Sequence, residues 1–366
     1  HDINTLEKLL SRAKELDGPI LIHVLTKKGK GYSIAEDNPD KFHGVSAFDL
    51  ETGKSLSQKK KDYSKVFGDK LVNMAKKNKK IVAITAAMKD GTGFGEFAAK
   101  YPERFFDVGI AEGHALTFAA GLASEGLIPF VSIYSSFYQR AYDQIIHDIC
   151  LQELPVVMCV DRAGIVGNDG ETHQGLYDMA FFRLIPNLTI MAPKDFSELE
   201  EMMEFAVNLE KPVVIRYPRG GESGVKFTSK PLKYGKSEVV RKGNDLSIIA
   251  IGNKVSRAME VAELLDNDGI SSEVINCRFL KPLDTRTIGD SLKKTAKCIV
   301  IEDGTVIGGL SSAITELILE KRLDVDFSSY AYPDKFIKHG SVEKLEKQNK
   351  VDAKSIFRDV KNKFKF

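Results

Sequence analysis

Four apolar runs in the middle of the chain constrain its fold more than any other feature. They are Ile81-Val82-Ala83-Ile84, Phe130-Val131-Ser132-Ile133, Pro155-Val156-Val157-Met158-Cys159-Val160 and Pro212-Val213-Val214-Ile215. A strand with one face in water alternates apolar and polar side chains. Runs without alternation suit strands covered on both faces, as in a parallel sheet flanked by helices. Amphipathic segments such as Phe67 to Lys76 and Phe196 to Leu209 lie between the runs. The pattern predicts a doubly wound α/β domain over 63–225. Ligands in such folds sit at the carboxyl ends of the strands, so the loops there carry the search for a site.

A second, smaller α/β unit is expected over 232–366. Its strands fall at Leu246 to Ile251, Ser272 to Asn276 and Cys298 to Ile301, with helices at about Val255 to Asp266 and Gly309 to Glu320. Residues 1–55 offer a helix (Leu6, Leu9, Leu10, Ala13), the turn Gly18-Pro19 and a predicted strand Ile20 to Leu25. One αβ step is too little to bury a core, so this segment reads as the tail of a further domain. The polar stretch Gly53 to Asp62 reads as a linker, and its run Lys59-Lys60-Lys61 as a solvated one. The opening His1-Asp2-Ile3 carries no secretory signal and reads as the middle of a longer chain.

Composition narrows the function classes. With 53 basic and 51 acidic residues the net charge is +2, which argues against the basic face of a nucleic-acid binder. No apolar run approaches the roughly 20 residues of a membrane span. The cysteines Cys150, Cys159, Cys277 and Cys298 form no C-x-x-C pair and sit in apolar surroundings, as expected of core thiols in a reducing cytosol. Histidine spacing offers no zinc site.

Several loops carry chemistry-bearing residues. Lys89-Asp90-Gly91-Thr92-Gly93-Phe94-Gly95 follows the first run, but its Gly-x-Gly-x-Gly spacing lacks the third glycine of a dinucleotide fingerprint. A tight loop with its backbone close to a ligand is the better expectation. In Gly109-Ile110-Ala111-Glu112-Gly113-His114, Glu112 falls at the start of a small-residue helix. There it is either a carboxylate favoured by the helix dipole or a buried acid that needs a partner, such as a protonated heterocyclic nitrogen. Tyr134, Phe137 and Arg140, at i, i+3 and i+6, either pack in the core or hold a planar ring. The stretch Asp161 to Gly175 combines Arg162, Asp169 and His173 with four glycines and is the most site-like on physical grounds. The arginines of Arg216-Tyr217-Pro218-Arg219 suit a phosphate or carboxylate. Lys27-Lys28-Gly29-Lys30-Gly31 suits a phosphate or a solvated loop equally, and His43 lies in the same first segment.

Together these phrases resemble the transketolase-like thiamine diphosphate enzymes, and among them the 1-deoxy-D-xylulose-5-phosphate synthase family. The resemblance rests on Thr26-Lys27-Lys28-Gly29-Lys30-Gly31-Tyr32, Ile110-Ala111-Glu112 with His114, Gln139 to Gln144, Asp161 to Gly167, Thr172-His173-Gln174-Gly175, Arg216 to Gly220, Arg278 to Asp284 and Tyr332 to Phe336. It covers essentially the whole chain. It implies a pyrimidine-binding domain followed by a transketolase C-terminal-like domain, after a remnant of a diphosphate-binding domain. The implied reaction joins pyruvate to D-glyceraldehyde 3-phosphate with loss of carbon dioxide.

The resemblance also implies roles. Glu112 would hydrogen-bond the aminopyrimidine ring nitrogen, and Phe137 would flank that ring. Met88 and Ile110 would line the cofactor's path, and Lys28 would approach the diphosphate. His43 and His173 would move protons. Tyr134, Arg140 and Asp169 would contact substrates, and Arg162 with Arg219 would hold the acceptor's phosphate. A cytoplasmic homodimer that touches neither nucleic acid nor membrane is expected.

Two departures stand out. Gly113 replaces the Gln of the family's Ala-Glu-Gln-His. The Gly-Asp-Gly motif that binds Mg2+ with the diphosphate is absent, and Asn168-Asp169-Gly170 and Glu302-Asp303-Gly304 stand in the wrong context. No metal ligand is therefore assigned on this chain, which reads as a truncated form. Alternatives are the pyrimidine-binding subunit of a split transketolase or keto-acid dehydrogenase, or a catalytically inactive fragment.

Overall fold

The computed structural model describes residues 1–39, 41–45, 47–56, 61–228 and 230–366. The chain divides into two compact units, His1–Lys60 and Lys61–Phe366.

The first unit holds the helices Ile3–Ala13 and Ser33–Asp37 and an isolated bridge between Phe48 and Ser55. Tyr32, Phe42 and Phe48 form an aromatic cluster with centroids 5.2 to 5.9 Å apart. The predicted strand Ile20 to Leu25 does not form. No described residue pairs with it, and its apolar side chains stay exposed, Leu21 at 94%. A strand is stabilised only by a neighbour that satisfies its backbone and covers a face, and periodicity cannot report that neighbour. Of the linker stretch, Ser57, Gln58, Lys59 and Lys60 lie outside the described residues, while Asp62 caps the next helix by accepting from the Lys65 N–H.

The second unit contains two sheets. Its strands are β1 (Ile81–Thr85), β2 (Phe105–Asp107), β3 (Ile128–Tyr134), β4 (Val157–Asp161), β5 (Thr189–Met191), β6 (Val213–Arg216), β7 (Glu238–Arg241), β8 (Leu246–Ala250), β9 (Ser272–Asn276), β10 (Phe279–Lys281), β11 (Lys297–Thr305) and β12 (Asp326–Tyr332). The larger sheet has the order β10-β5-β6-β4-β3-β1-β2 and is parallel except for β10. The smaller has the order β12-β11-β8-β9-β7 and is parallel except for β7.

Side chains along β4 show why its run does not alternate. Met158 and Val160 enter one core, and Val157 and Cys159 enter another on the opposite face. The helices Tyr63–Lys77 and Phe196–Leu209 cover the second of these faces. The first continues into Ile249, Ile275 and Val300 of the smaller sheet, so one core serves both sheets. The four cysteines are buried and free. Strand β10 lies in the expected C-terminal region yet pairs with β5 of the larger sheet, because Phe279 and Lys281 reach Met191 and Ile190.

Candidate active site

The order of the larger sheet reverses at β1, with β2 on one side and β3 on the other. Loops leaving these strands meet at their carboxyl ends, where doubly wound folds bind ligands. Gly91, after β1, makes the closest approach. A Cβ there would stand 1.8 Å from the Tyr134 hydroxyl oxygen, and one at Gly93, whose φ is +79°, would stand 2.0 Å from the Ser64 carbonyl oxygen. Gly91 and Gly93 are therefore accounted for by the protein's own packing, and the expected backbone approach to a ligand is not needed to explain them.

Glu112 opens the helix Glu112–Ser124 after β2 and is 3% exposed. Ala115, Leu116, Ala119 and Ala120 bury the same helix, which draws the carboxylate in with them. A buried carboxylate needs a partner. Arg140 Nη1 donates to Glu112 Oε1 at 3.0 Å. The Arg140 guanidinium carbon lies 5.2 Å from the Phe137 ring centroid. Phe137 in turn meets Tyr134 at 5.8 Å and His173 at 5.2 Å, the latter edge to face.

The loop after β4 completes the group. Arg162 stacks on Tyr134, 3.9 Å from guanidinium carbon to ring centroid, and has a left-handed backbone, φ +57°. Burial raises the Tyr134 phenol above its usual range, against the pull of Arg162. Asp169 bridges two arginines: Oδ2 accepts from Arg162 and Oδ1 pairs with Arg219, both at 2.6 Å. His173 Nδ1 lies 2.9 Å from the Thr172 hydroxyl.

Glu112, Tyr134, Phe137, Arg140, Arg162, Asp169, His173 and Arg219 thus form one connected constellation. Met88 is buried beside the same core, and its carbonyl accepts from Thr92. Ile110 is 78% exposed. Lys28 and His43 belong to the His1–Lys60 unit and are exposed. Arg216, grouped with Arg219 as an anion ligand from sequence, is instead buried and forked onto Asp178 at 3.0 and 3.2 Å.

Sequence reasoning gave no role to Asp161. It is fully buried at the end of β4 and accepts from the Ser64 hydroxyl at 2.7 Å, while its Oδ1 finds no hydrogen-bond partner among the described residues. Burial, opposed by Ser64 and Arg162, pushes its carboxyl up to about 7. An acid interrupting the polarity of an apolar run was the available signal. Gly113 also finds an account. A Cβ there would lie 3.4 Å from Gln144 Oε1, so the Gln144 amide covers the place where a longer side chain would start.

The parallel sheet with its rim constellation, joined to a second α/β layer, defines a protein of the transketolase class. Residues 59–221 match the family described as transketolase, pyrimidine binding domain, and 235–356 match transketolase, C-terminal domain. The fold is similar to that of a solved split gene transketolase, an inactive beta4 tetramer, with TM-score 0.76 and 30% identity over 82% of this chain and 98% of that one. A transketolase from Campylobacter jejuni shares the fold with TM-score 0.70 at 17% identity, over 82% of this chain and 46% of that one. The chain belongs to the transketolase family, and the curated relatives it matches are named 1-deoxy-D-xylulose-5-phosphate synthase. It is 51% identical over its full length to the synthase of Caldanaerobacter subterraneus, of which it covers 59%. It is 48% identical over its full length to that of Syntrophomonas wolfei, of which it covers 57%. The chain therefore spans well under two thirds of the curated relatives it matches. No helix among the described residues is long and apolar enough to cross a membrane.

Proposed function

We propose that this chain supplies the pyrimidine side of a thiamine diphosphate site that condenses pyruvate with D-glyceraldehyde 3-phosphate to 1-deoxy-D-xylulose 5-phosphate and carbon dioxide. The observation that carries the reading is the buried Glu112 carboxylate paired with Arg140, whose guanidinium in turn lies against the Phe137 ring. An acid held out of water, with an aromatic ring in the same side-chain group, suits a flat heterocycle with a protonatable nitrogen. The bound cofactor supplies the carbon nucleophile and the electron sink for decarboxylation.

The chain's own residues bind, orient and move protons. With the cofactor bound, Glu112 would share a proton with the aminopyrimidine ring nitrogen, and Phe137 would flank that ring. Met88 and Ile110 line the cofactor's path, and Lys28 approaches the diphosphate. Tyr134, Arg140 and Asp169 orient the substrates. Arg162 and Arg219, already converged on one carboxylate, hold the acceptor's phosphate. His173, against Phe137, and His43 carry protons to and from the reacting oxygens.

No group of three or more His, Cys, Asp or Glu among the described residues could hold a metal. Mg2+ with the diphosphate is assigned to ligands beyond these residues. The reading divides the chain into 1–55, a remnant of a diphosphate-binding domain, 63–225, the pyrimidine-binding domain, and 232–366, the C-terminal-like domain. It takes the assembled enzyme to be a cytoplasmic homodimer. Carbon dioxide release that requires pyruvate, the aldehyde, thiamine diphosphate and Mg2+ together tests the assignment, and release without the aldehyde dependence refutes it.

A second reading has a specific support. A split gene transketolase chain is matched over 98% of its length. In that case the chain works as one subunit beside a diphosphate-binding polypeptide. Intact mass of the purified protein, with a search for a co-purifying chain, separates the two.

A further inference from the structure

The motif Glu302-Asp303-Gly304 has no part in the chemistry above, yet Asp303 reaches the loop that carries it. That loop, 162–175, presents Arg162, Asp169 and His173 but has little structure of its own. Its ends are joined by a bridge between Gly164 and Gly175, and Gly164, Gly167 and Gly170 have φ of +79°, +76° and +78°. Such a segment is ordered by what it rests on.

It rests on the carboxyl end of the smaller sheet's β11 and on the segment that follows β12. Asp303 Oδ1 accepts from the Ile165 N–H at 3.2 Å. A Cβ on Gly164 would stand 1.9 Å from Asp303 Oδ2, so the loop backbone lies directly on the carboxylate. Further along, Gln174 accepts from the Val166 and Gly167 N–H groups and donates to the Ile337 and Lys338 carbonyls. Asp303 is itself held. Lys254 Nζ lies 3.6 Å from Oδ1 and 2.6 Å from Glu346, and Arg216 donates to the Asp303 carbonyl at 3.1 Å. Burial works against the Lys254 charge, but Asp303 and Glu346 keep its ammonium above the usual lysine range.

We propose that Asp303, with Lys254 as its counter-charge, is a positioning residue that fixes loop 162–175 and so sets the spacing of Arg162, Asp169 and His173. It touches none of the three and acts through the Gly164–Ile165 backbone. The consequence for substrate rests on the acceptor-phosphate reading of Arg162.

Two measurements on Asp303→Ala and Asp303→Asn test this. Hydrogen exchange reads the tie without any substrate. Amides of 164–174 should exchange about tenfold faster or more in the alanine variant, the scale of one charge-assisted hydrogen bond lost. The change should be smaller in the asparagine variant, whose amide oxygen still accepts from Ile165, and amides of β8 and β9 should keep their protection. Should the alanine variant not fold, the asparagine variant decides alone. Unchanged protection of 164–174 in a folded variant would overturn the proposal, as would uniform loss across β8 and β9. In turnover, the KM for glyceraldehyde 3-phosphate should rise about tenfold while that for pyruvate stays within about twofold. A loosened loop with an unmoved aldehyde KM would support the tie and overturn the acceptor reading alone.

Discussion

Arg140 donates to Glu112 at 3.0 Å from a side chain that is 54% exposed, while the carboxylate it reaches is 4% exposed. The pair is therefore open to water on one side only. Breaking a fully enclosed ion pair strands a charge at a cost of several kcal/mol. Here truncation of Arg140 opens a path by which water reaches Glu112. Arg140→Ala should lower stability by under about 1 kcal/mol, the range of exposed pairs. Denaturant midpoints check this, and a loss near 3 kcal/mol would mean that Arg140 is structural.

Asp169 holds Arg162 and Arg219 together at 2.6 Å each. Arg219 lies at the surface and Arg162 is stacked on Tyr134, so only Arg219 can be removed without disturbing the aromatic group. Arg219→Ala should raise the KM for the phosphorylated aldehyde by about 10- to 100-fold, the worth of a charge-assisted contact, and leave the KM for pyruvate alone. Steady-state kinetics with each substrate varied in turn gives the answer.

Asp161 links fold and acidity. Burial raises its carboxyl to about 7 in the folded chain, above the ordinary value of 3.8. The folded state then binds the proton more tightly than the unfolded state between about pH 4 and pH 7. Its contribution is complete below the unfolded value and is lost as pH rises through 7, with a slope of up to about 1.4 kcal/mol per pH unit. Asp161→Asn should remove that slope. Urea titrations of both proteins at pH 5 and pH 8 should show the variant gaining relative stability at the higher pH.

Gly113 sits in the first turn of the helix Glu112–Ser124 with its open side 3.4 Å from Gln144. Glycine costs a helix about 0.5 to 1 kcal/mol relative to alanine. A methyl group fits the gap at ordinary contact, so Gly113→Ala should raise the melting temperature by about one to two degrees, measurable by calorimetry.

Much of this was legible in the chain. Val157 to Val160 could be read as a doubly covered strand because all its side chains are apolar, and the covers are indeed on both faces. The helix Phe196–Leu209 matches its amphipathic segment end to end. Glu112, Phe137 and Arg140 were brought together only by the family resemblance, since their local sequences left a helix-start acid and core packing as open readings. Strand β10 was not, because three residues that pair across a domain boundary carry no period of their own. Nor was the difference between Arg216 and Arg219, three residues apart. It depends on Asp178, which meets Arg216 only through the fold. Strand Ile20 to Leu25 was misread for the same reason in reverse, since the apolar run was present and no partner strand is found among the described residues.

The most direct test of the central claim is turnover of the protein carrying Glu112→Ala, supplied with pyruvate, glyceraldehyde 3-phosphate, thiamine diphosphate and Mg2+. Removing a proton-sharing carboxyl that acts on the cofactor should cut carbon dioxide release by about 10²- to 10⁴-fold, with the fold intact by circular dichroism. Turnover equal to that of the unaltered protein would contradict the role assigned to Glu112.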